Sequence, residues 1–251
     1  MLSCVLSTVK DIFHLHFTKF YVMRLDRFVC KSSELTKNET TRLIHDGEVI
    51  VNGVVITNEA TQVHENNKIT LNGQRLKARS FRYILMHKPP NTICSNVDEV
   101  YPSLFNYLDI DKVSELHVAG RLDSDTTGLV LVTDDGRWSF DIIRPSKRCS
   151  KVYRVCLSRP IAQDVVCKFA NGVKLQGESQ LTLPADLEVI SANEVLLTIT
   201  EGKFHQVKRM FSAVGNRVVS LHREKIGSLS LDVEIGQWRY LTVNEVNSFI
   251  S

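Results

Sequence analysis

Residues 120–136 read GRLDSDTTGLVLVTDDG, with Arg121, Asp123 and Asp125 directly ahead of an unbroken apolar run. A carboxylate placed there can act as a nucleophile or a base. With a reference pKa of about 3.9 it is ionised at neutral pH, and it needs positioning and partial desolvation rather than a separate activating group. Asp123 and Asp125 lie at i and i+2, which on a strand would put them on one face and permit a glycosidase-like carboxylate pair. Thr126, Thr127 and Gly128 point instead to a turn, with Asp125 as its capping residue. Burying the other carboxylate costs several kcal/mol unless a cation lies close. In HQVKRMFSAVG, Val207, Met210, Phe211 and Val214 recur at the spacing of an amphipathic helix. At about 100° per residue Lys208 falls on the flank of that apolar face and Arg209 nearly opposite it, so Lys208 is the expected partner of Asp123. His205 and Gln206 read as groups that cap the helix or touch a ligand, not as catalysts. Asp134 and Asp135 read as part of a strand-ending turn, and His14 and His16 have no third ligand nearby, so no metal site is expected.

The elements that must hold these residues are mostly strands. FRYILMHKPP runs into two prolines that end any ladder, GLVLVTDDG is an apolar strand closed by an Asp-Gly turn, and KVYRVCLSRP and EVLLTIT complete a set of four. AQDVVCKFANG reads as a helix with a glycine end. Few helices intervene between successive strands, so the pattern predicts an α+β fold with a mixed, largely antiparallel sheet flanked by helices.

Ahead of this region, MRLDRFVCKSSELTKNETTRLIHDGEVIVNGVVI has apolar Leu25, Phe28 and Val29 at helical spacing and a capping box from Thr36 to Glu39. Gly47 then stops a second helix, and Asn52-Gly53 joins the strands of a hairpin. With 43% hydrophobic and 24% charged residues in 251, the chain is an ordinary folded protein, and a net charge of +3 permits a nucleic-acid partner without requiring one. The six cysteines form no CxxC pair, so reduced thiols in a cytoplasmic protein are expected. Lys10, Asp11 and Lys19 interrupt the greasy first stretch, so no membrane span is expected. Residues 1–22 read as an N-terminal extension, or as a start placed too far upstream.

Two helices and an NG hairpin carrying Arg24, Arg27, Lys31, Lys37 and Arg42 resemble the αL RNA-binding module first seen in a small-subunit ribosomal protein. The resemblance covers about residues 23–80, ending in a linker NGQRLKARSFR, and implies phosphate contacts from Arg24, Arg27, Lys37 and Arg42. From charge alone these could equally be solvated helix faces, since Asp26, Glu34, Glu39, Asp46 and Glu48 nearly cancel them.

HVAGRLDSDTTGLVLVTDDG is in turn similar to the GRLDxDTxGL motif of the RsuA-type pseudouridine synthases. MRLDRF at 23, KVYRV at 151 and EGKFHQVKRMFSAVGNRVVSLHREKIG at 201–227 resemble further segments of that family, in order. This resemblance implies that residues 81–251 are a catalytic domain that isomerises a uridine of 16S ribosomal RNA without cofactor or metal. It implies Asp123 as the nucleophile, Lys208 as its ion-pair partner, and Tyr153 stacked on the target base and taking part in proton removal. Arg121 would occupy the space that the extruded base leaves, and Arg209 would face RNA or water. The expected partner is ribosomal RNA, within a small-subunit assembly particle, and the expected state is a monomer. The competing reading is a non-catalytic RNA-binding assembly factor, which would have no reason to keep a carboxylate beside an RNA phosphate.

Overall fold

The computed structural model describes residues 22–64 and 66–250, so the expectations for residues 1–22 (Val22 apart) and for His14 and His16 lie outside the described residues. The described residues form two compact units, one up to Ser80 and one from Phe81.

In the first unit, β1 (Val22–Arg24) leads into α1 (Leu25–Ser32), whose Leu25, Phe28 and Val29 are buried. The capping box opens α2 (Lys37–His45): the Glu39 amide donates to the Thr36 hydroxyl at 3.3 Å, and the Thr36 amide donates to the Glu39 carboxylate at 2.8 Å. β2 (Val49–Val51) and β3 (Val54–Val55) follow, with Asn52 and Gly53 both at positive φ, as a type I′ hairpin requires. β4 (Gln62–His64) pairs with β1, while β5 (Ile69–Leu71) pairs with β2 and β6 (Gln74–Arg75) with β5. The stretch read as a linker therefore begins inside the sheet, because Asn72 and Gly73 (φ 50° and 77°) form a second hairpin turn. Its basic residues disguise a hairpin signal as strong as the first.

The second unit is built on a nine-stranded sheet. Its strands are β7 (Tyr83–Lys88), β8 (His117–Ala119), β9 (Thr127–Thr133), β10 (Lys151–Leu157), β11 (Asp186–Ser191), β12 (Glu194–Ile199), β13 (Val218–Ile226), β14 (Leu229–Ser230) and β15 (Trp238–Tyr240). The main path runs β11-β12-β10-β13-β9-β7-β15, with β8 on β9 and β14 on β13. Among the described residues the pairings are antiparallel except β9 with β13, so the sheet is mixed and largely antiparallel. Four helices flank it: α3 (Gly136–Ile143), α4 (Asp164–Ala170), α5 (Gln206–Ala213) and α6 (Val243–Asn247). Leu129, Val130, Leu131 and Val132 are all fully buried, which is why β9 reads as a continuous apolar run instead of an alternating one. Phe169 of α4 meets Phe211 of α5 edge to face, with ring centroids 5.1 Å apart.

The TDDG segment departs from the expected turn. Asp135 instead starts α3, accepting from the amides of Arg137 and Trp138 at 3.0 and 3.2 Å and from the Tyr83 hydroxyl at 2.9 Å. Asp134 pairs with Arg82 at 3.0 Å. A helix cap and a tight turn draw on the same Asp-Gly chemistry, so the sequence does not separate them.

Gly128 explains how β9 and β13 come together. It lies at φ +111°, directly opposite Arg223, and a Cβ there would stand 2.3 Å from the Arg223 carbonyl oxygen and 2.5 Å from its amide nitrogen. Gly128→Ala is expected to destabilise the fold by about 3–5 kcal/mol, from backbone strain and overpacking together. Urea unfolding should show a lower midpoint at unchanged slope.

Candidate active site

The chain leaves β8 at Ala119, passes Gly120 at φ +89°, and turns at Asp123–Thr126 before entering β9; the Thr126 amide donates to the Asp123 carbonyl at 3.1 Å. This turn is anchored from beneath. The fully buried Lys88 ammonium donates to the carbonyls of Pro89, Ser124 and Thr126 at 3.1, 3.1 and 2.9 Å, and the Asn91 amide also donates to Ser124 at 2.9 Å. Burial pushes the Lys88 pKa down, although the nearby carboxylates of Asp125 and Asp123 oppose the shift. The turn thus presents Asp123 to a cleft of about 610 Å³ whose lining includes Arg121, Tyr153, Phe204, His205, Lys208 and Arg223.

Lys208 reaches Asp123 as the helix period predicts. Val207, Met210 and Phe211 of α5 are buried, and from the flank of that face the Lys208 ammonium donates to Asp123 Oδ2 at 2.9 Å. It also donates to Asp125 Oδ1 at 2.6 Å, so Asp125 shares the lysine in addition to belonging to the turn. Burial works against the Lys208 charge, but the hydrogen bonds it donates to both aspartates outweigh this and raise the pKa. Burial likewise disfavours the Asp125 carboxylate, and the Lys208 ammonium overcomes this to hold its pKa below the usual range. The site keeps Asp125 apart from Asp123 in another way: its side chain is 67% exposed against 28% for Asp123, and it does not line the cleft.

Of the two roles expected for His205, capping the helix or touching a ligand, it does not take the first, and it lines the cleft. Its backbone sits in the left-handed region at φ +48°, it makes no side-chain cap, and its Nε2 lies 3.4 Å from Asp123 Oδ1. Gln206 does serve the local backbone, accepting from the Lys203 amide at 2.8 Å while donating to Glu201 at 2.8 Å.

Tyr153 enters from β10, where alternate residues Lys151, Tyr153, Val155 and Leu157 share the buried face. Its hydroxyl accepts from Arg223 Nη1 at 3.3 Å. Arg223 is 2% exposed and donates further to the carbonyls of Leu129 (2.7 Å) and Gly120 (2.8 Å), joining β9, the Asp123 loop and Tyr153 through one side chain. Arg223 was not among the expected site residues, because its partners lie on distant strands and loops. The one available signal is Gly128, whose missing side chain admits the Arg223 backbone. Lys151 is also buried, bonded to the Cys149 carbonyl at 2.8 Å, and burial lowers its pKa. The floor of the cleft therefore holds buried cations satisfied by neutral oxygens.

Arg121 is exposed at the cleft and forms no ion pair with Asp125, whose carboxylate is taken by Lys208. Arg209, expected to face RNA or water, is instead held by Glu178 at 3.3 Å, the Phe204 carbonyl at 3.0 Å and the Gln176 carbonyl at 2.5 Å. In the first unit Arg24 makes a bidentate pair with Asp26 at 2.9 and 3.1 Å, with its side chain 42% exposed. Arg27, Lys37 and Arg42 are exposed, Arg42 within 3.6 Å of Asp46. Among the described residues no cluster of three His, Cys, Asp or Glu could hold a metal ion, and no helix is long and apolar enough to cross a membrane.

A carboxylate held by a lysine thus shares a cleft of about 610 Å³ with a buried tyrosine, and comparisons with known proteins identify the domains that carry it. The model of the RNA pseudouridylate synthase family matches residues 82–213, and that of the S4 domain matches residues 23–69. The ribosomal small subunit pseudouridine synthase A of Vibrio cholerae serotype O1 is 49% identical over 228 residues, covering 90% of this chain and 99% of that protein. Proteins of the same name are 45% identical in Salmonella typhimurium, over 90% of this chain and 99% of theirs, and 44% identical in Escherichia coli K12, over 91% and 100%. A crystal structure of a pseudouridylate synthase covers 90% of the chain and 99% of its own at 40% identity, with a TM-score of 0.67. The chain therefore carries an S4 domain followed by a pseudouridine synthase domain with a mixed, mostly antiparallel sheet, and it belongs to the RNA pseudouridylate synthase family.

Proposed function

We propose that the protein converts one uridine of small-subunit ribosomal RNA to pseudouridine, with Asp123 as nucleophile and without a cofactor. The observation that carries this reading is the Asp123 carboxylate, paired with Lys208 at 2.9 Å and presented to the cleft that Tyr153 lines. Asp123 attacks the nucleoside and the N-glycosidic bond breaks. The base turns within the cleft and its C5 rejoins the ribose as the Asp123 carboxylate is released; the C5 proton then departs, the Tyr153 oxygen taking part in its removal, and N1 ends protonated. Nothing is oxidised or reduced, and atoms are conserved. Extruding the uridine from a stacked loop costs a few kcal/mol, and Arg121, exposed at the rim, offers a planar cation to fill the space left behind. The names of the relatives support the small subunit as the source of the RNA. We assign action to the cytoplasm, by a monomer, on RNA that is free or in a partly assembled particle.

Carbodiimide adduct mapping with primer extension, on ribosomal RNA incubated with the protein, is expected to show a single new site in the small-subunit RNA. No site on free RNA or on any particle, with tight RNA binding retained, would favour a non-catalytic assembly factor.

Residues 23–80 are proposed to grip RNA through phosphates by Arg27, Lys37 and Arg42. Replacing all three with alanine should weaken RNA binding irrespective of sequence. It should also reduce the slope of log affinity against log salt by about 1 for each phosphate contact removed. An unchanged slope in filter binding would remove these residues from the interface.

A further inference from the structure

We propose that Phe204 and His205 form a stacking platform for an unpaired nucleobase adjacent to the target uridine. The inference rests on the reading that RNA is the substrate, and it adds a contact to a nucleotide other than the one that reacts.

Phe204 is 75% exposed, the most exposed phenylalanine, tyrosine or tryptophan among the described residues. One exposed aromatic side chain is unremarkable by itself. This one, however, is stacked on the His205 imidazole, with centroids 3.7 Å apart and planes 23° from parallel, and both residues line the cleft. His205 is in turn 3.4 Å from Asp123, so the stack stands immediately beside the proposed nucleophile.

The stack is also held in place. His205 adopts φ +48°, in the left-handed region that residues with a side chain visit uncommonly. Arg209 donates its side chain to the Phe204 carbonyl at 3.0 Å and its amide to the His205 carbonyl at 3.0 Å, and Gln206 fixes the Lys203 amide at 2.8 Å. With one face on the imidazole, the other remains for a planar partner. Its neighbours at the rim are charged and polar, Arg121 and Lys208 among them, which suits a base on a polyanion better than an apolar protein surface. Extruding the uridine strips its neighbour of one stacking face, and an aromatic ring replaces that contact without regard to base identity.

The test is a thermodynamic cycle on the small-subunit RNA segment that carries the modified uridine, with an abasic nucleotide placed in turn at each flanking position. Stacking is worth about 1–3 kcal/mol per base, so Phe204→Ala is expected to raise Kd and KM about 5- to 150-fold. The change in kcat should be under about threefold, and Phe204→Trp should restore binding. At one of the two abasic positions the difference between wild type and Phe204→Ala should vanish. An unaltered Kd in Phe204→Ala, or a penalty equally large on every abasic RNA, would overturn the platform. If the wild-type protein modifies no uridine, the proposed function fails by itself. The platform is then read on oligouridine, where Phe204→Ala must still weaken binding and equal affinity would refute it.

Discussion

Asp123→Asn is expected to abolish pseudouridine formation, with turnover falling on the order of 10⁴-fold or more, while the protein remains folded and still binds RNA. Asparagine keeps the size of the side chain and an oxygen that can accept from Lys208, but it has no negative charge with which to attack the nucleoside. The fold should tolerate the change, because Lys208 retains its 2.6 Å contact with Asp125 and is not left as an unpaired half-buried cation. Asp125→Asn supplies the contrast. Its side chain is 67% exposed and outside the cleft, so turnover should fall less than about tenfold. Release of tritium from RNA labelled at uridine C5, followed for both variants beside thermal melts, checks the pair. Activity of more than a few per cent in Asp123→Asn, or a collapse in Asp125→Asn, would move the nucleophile to Asp125.

What could be read in the sequence follows from how local each signal is. The Thr36 cap, the Asn52-Gly53 hairpin and the buried run of β9 are each specified within a few residues, and the structure contains all of them. Lys208 was legible for a similar reason, since helical periodicity turns a spacing into a direction, and a carboxylate in apolar surroundings needs a cation. Arg223 was not legible. Its partners, Tyr153, Leu129 and Gly120, are 70 to 103 residues away, and an arginine on a strand with charged neighbours reads as solvated. Lys88 was obscured by the two prolines after it, whose effect on the ladder is obvious while the three carbonyls that the lysine ties together are not. His205 sits one residue before α5, where sequence suggests a cap; only the left-handed turn in the chain directs its ring towards Asp123. The pattern is consistent. Residues that build an element announce themselves, whereas those that join the nucleophile loop to distant strands become visible only when the sheet is assembled.

Lys208→Met isolates the electrostatic part of the site from the nucleophile. Methionine preserves the aliphatic stem of this α5 side chain but leaves Asp123 and Asp125 without the ammonium that now bridges them at 2.9 and 2.6 Å. The two carboxylates then repel, and Asp123 loses the donor that aims its Oδ2, so kcat should fall about 10²–10³-fold, the loss typical of removing one preorganised charged donor. Lys208→Arg should recover only part of this, because a planar fork does not reproduce a point charge shared between two oxygens. Arg209 cannot take over: its guanidinium is already held by Glu178 and by the carbonyls of Phe204 and Gln176. RNA affinity should change little, so single-turnover measurements at saturating RNA will separate the loss of chemistry from any loss of binding. Undiminished turnover in Lys208→Met would mean that Asp123 needs no lysine to be positioned, and would leave His205, 3.4 Å away, as the residue to replace next.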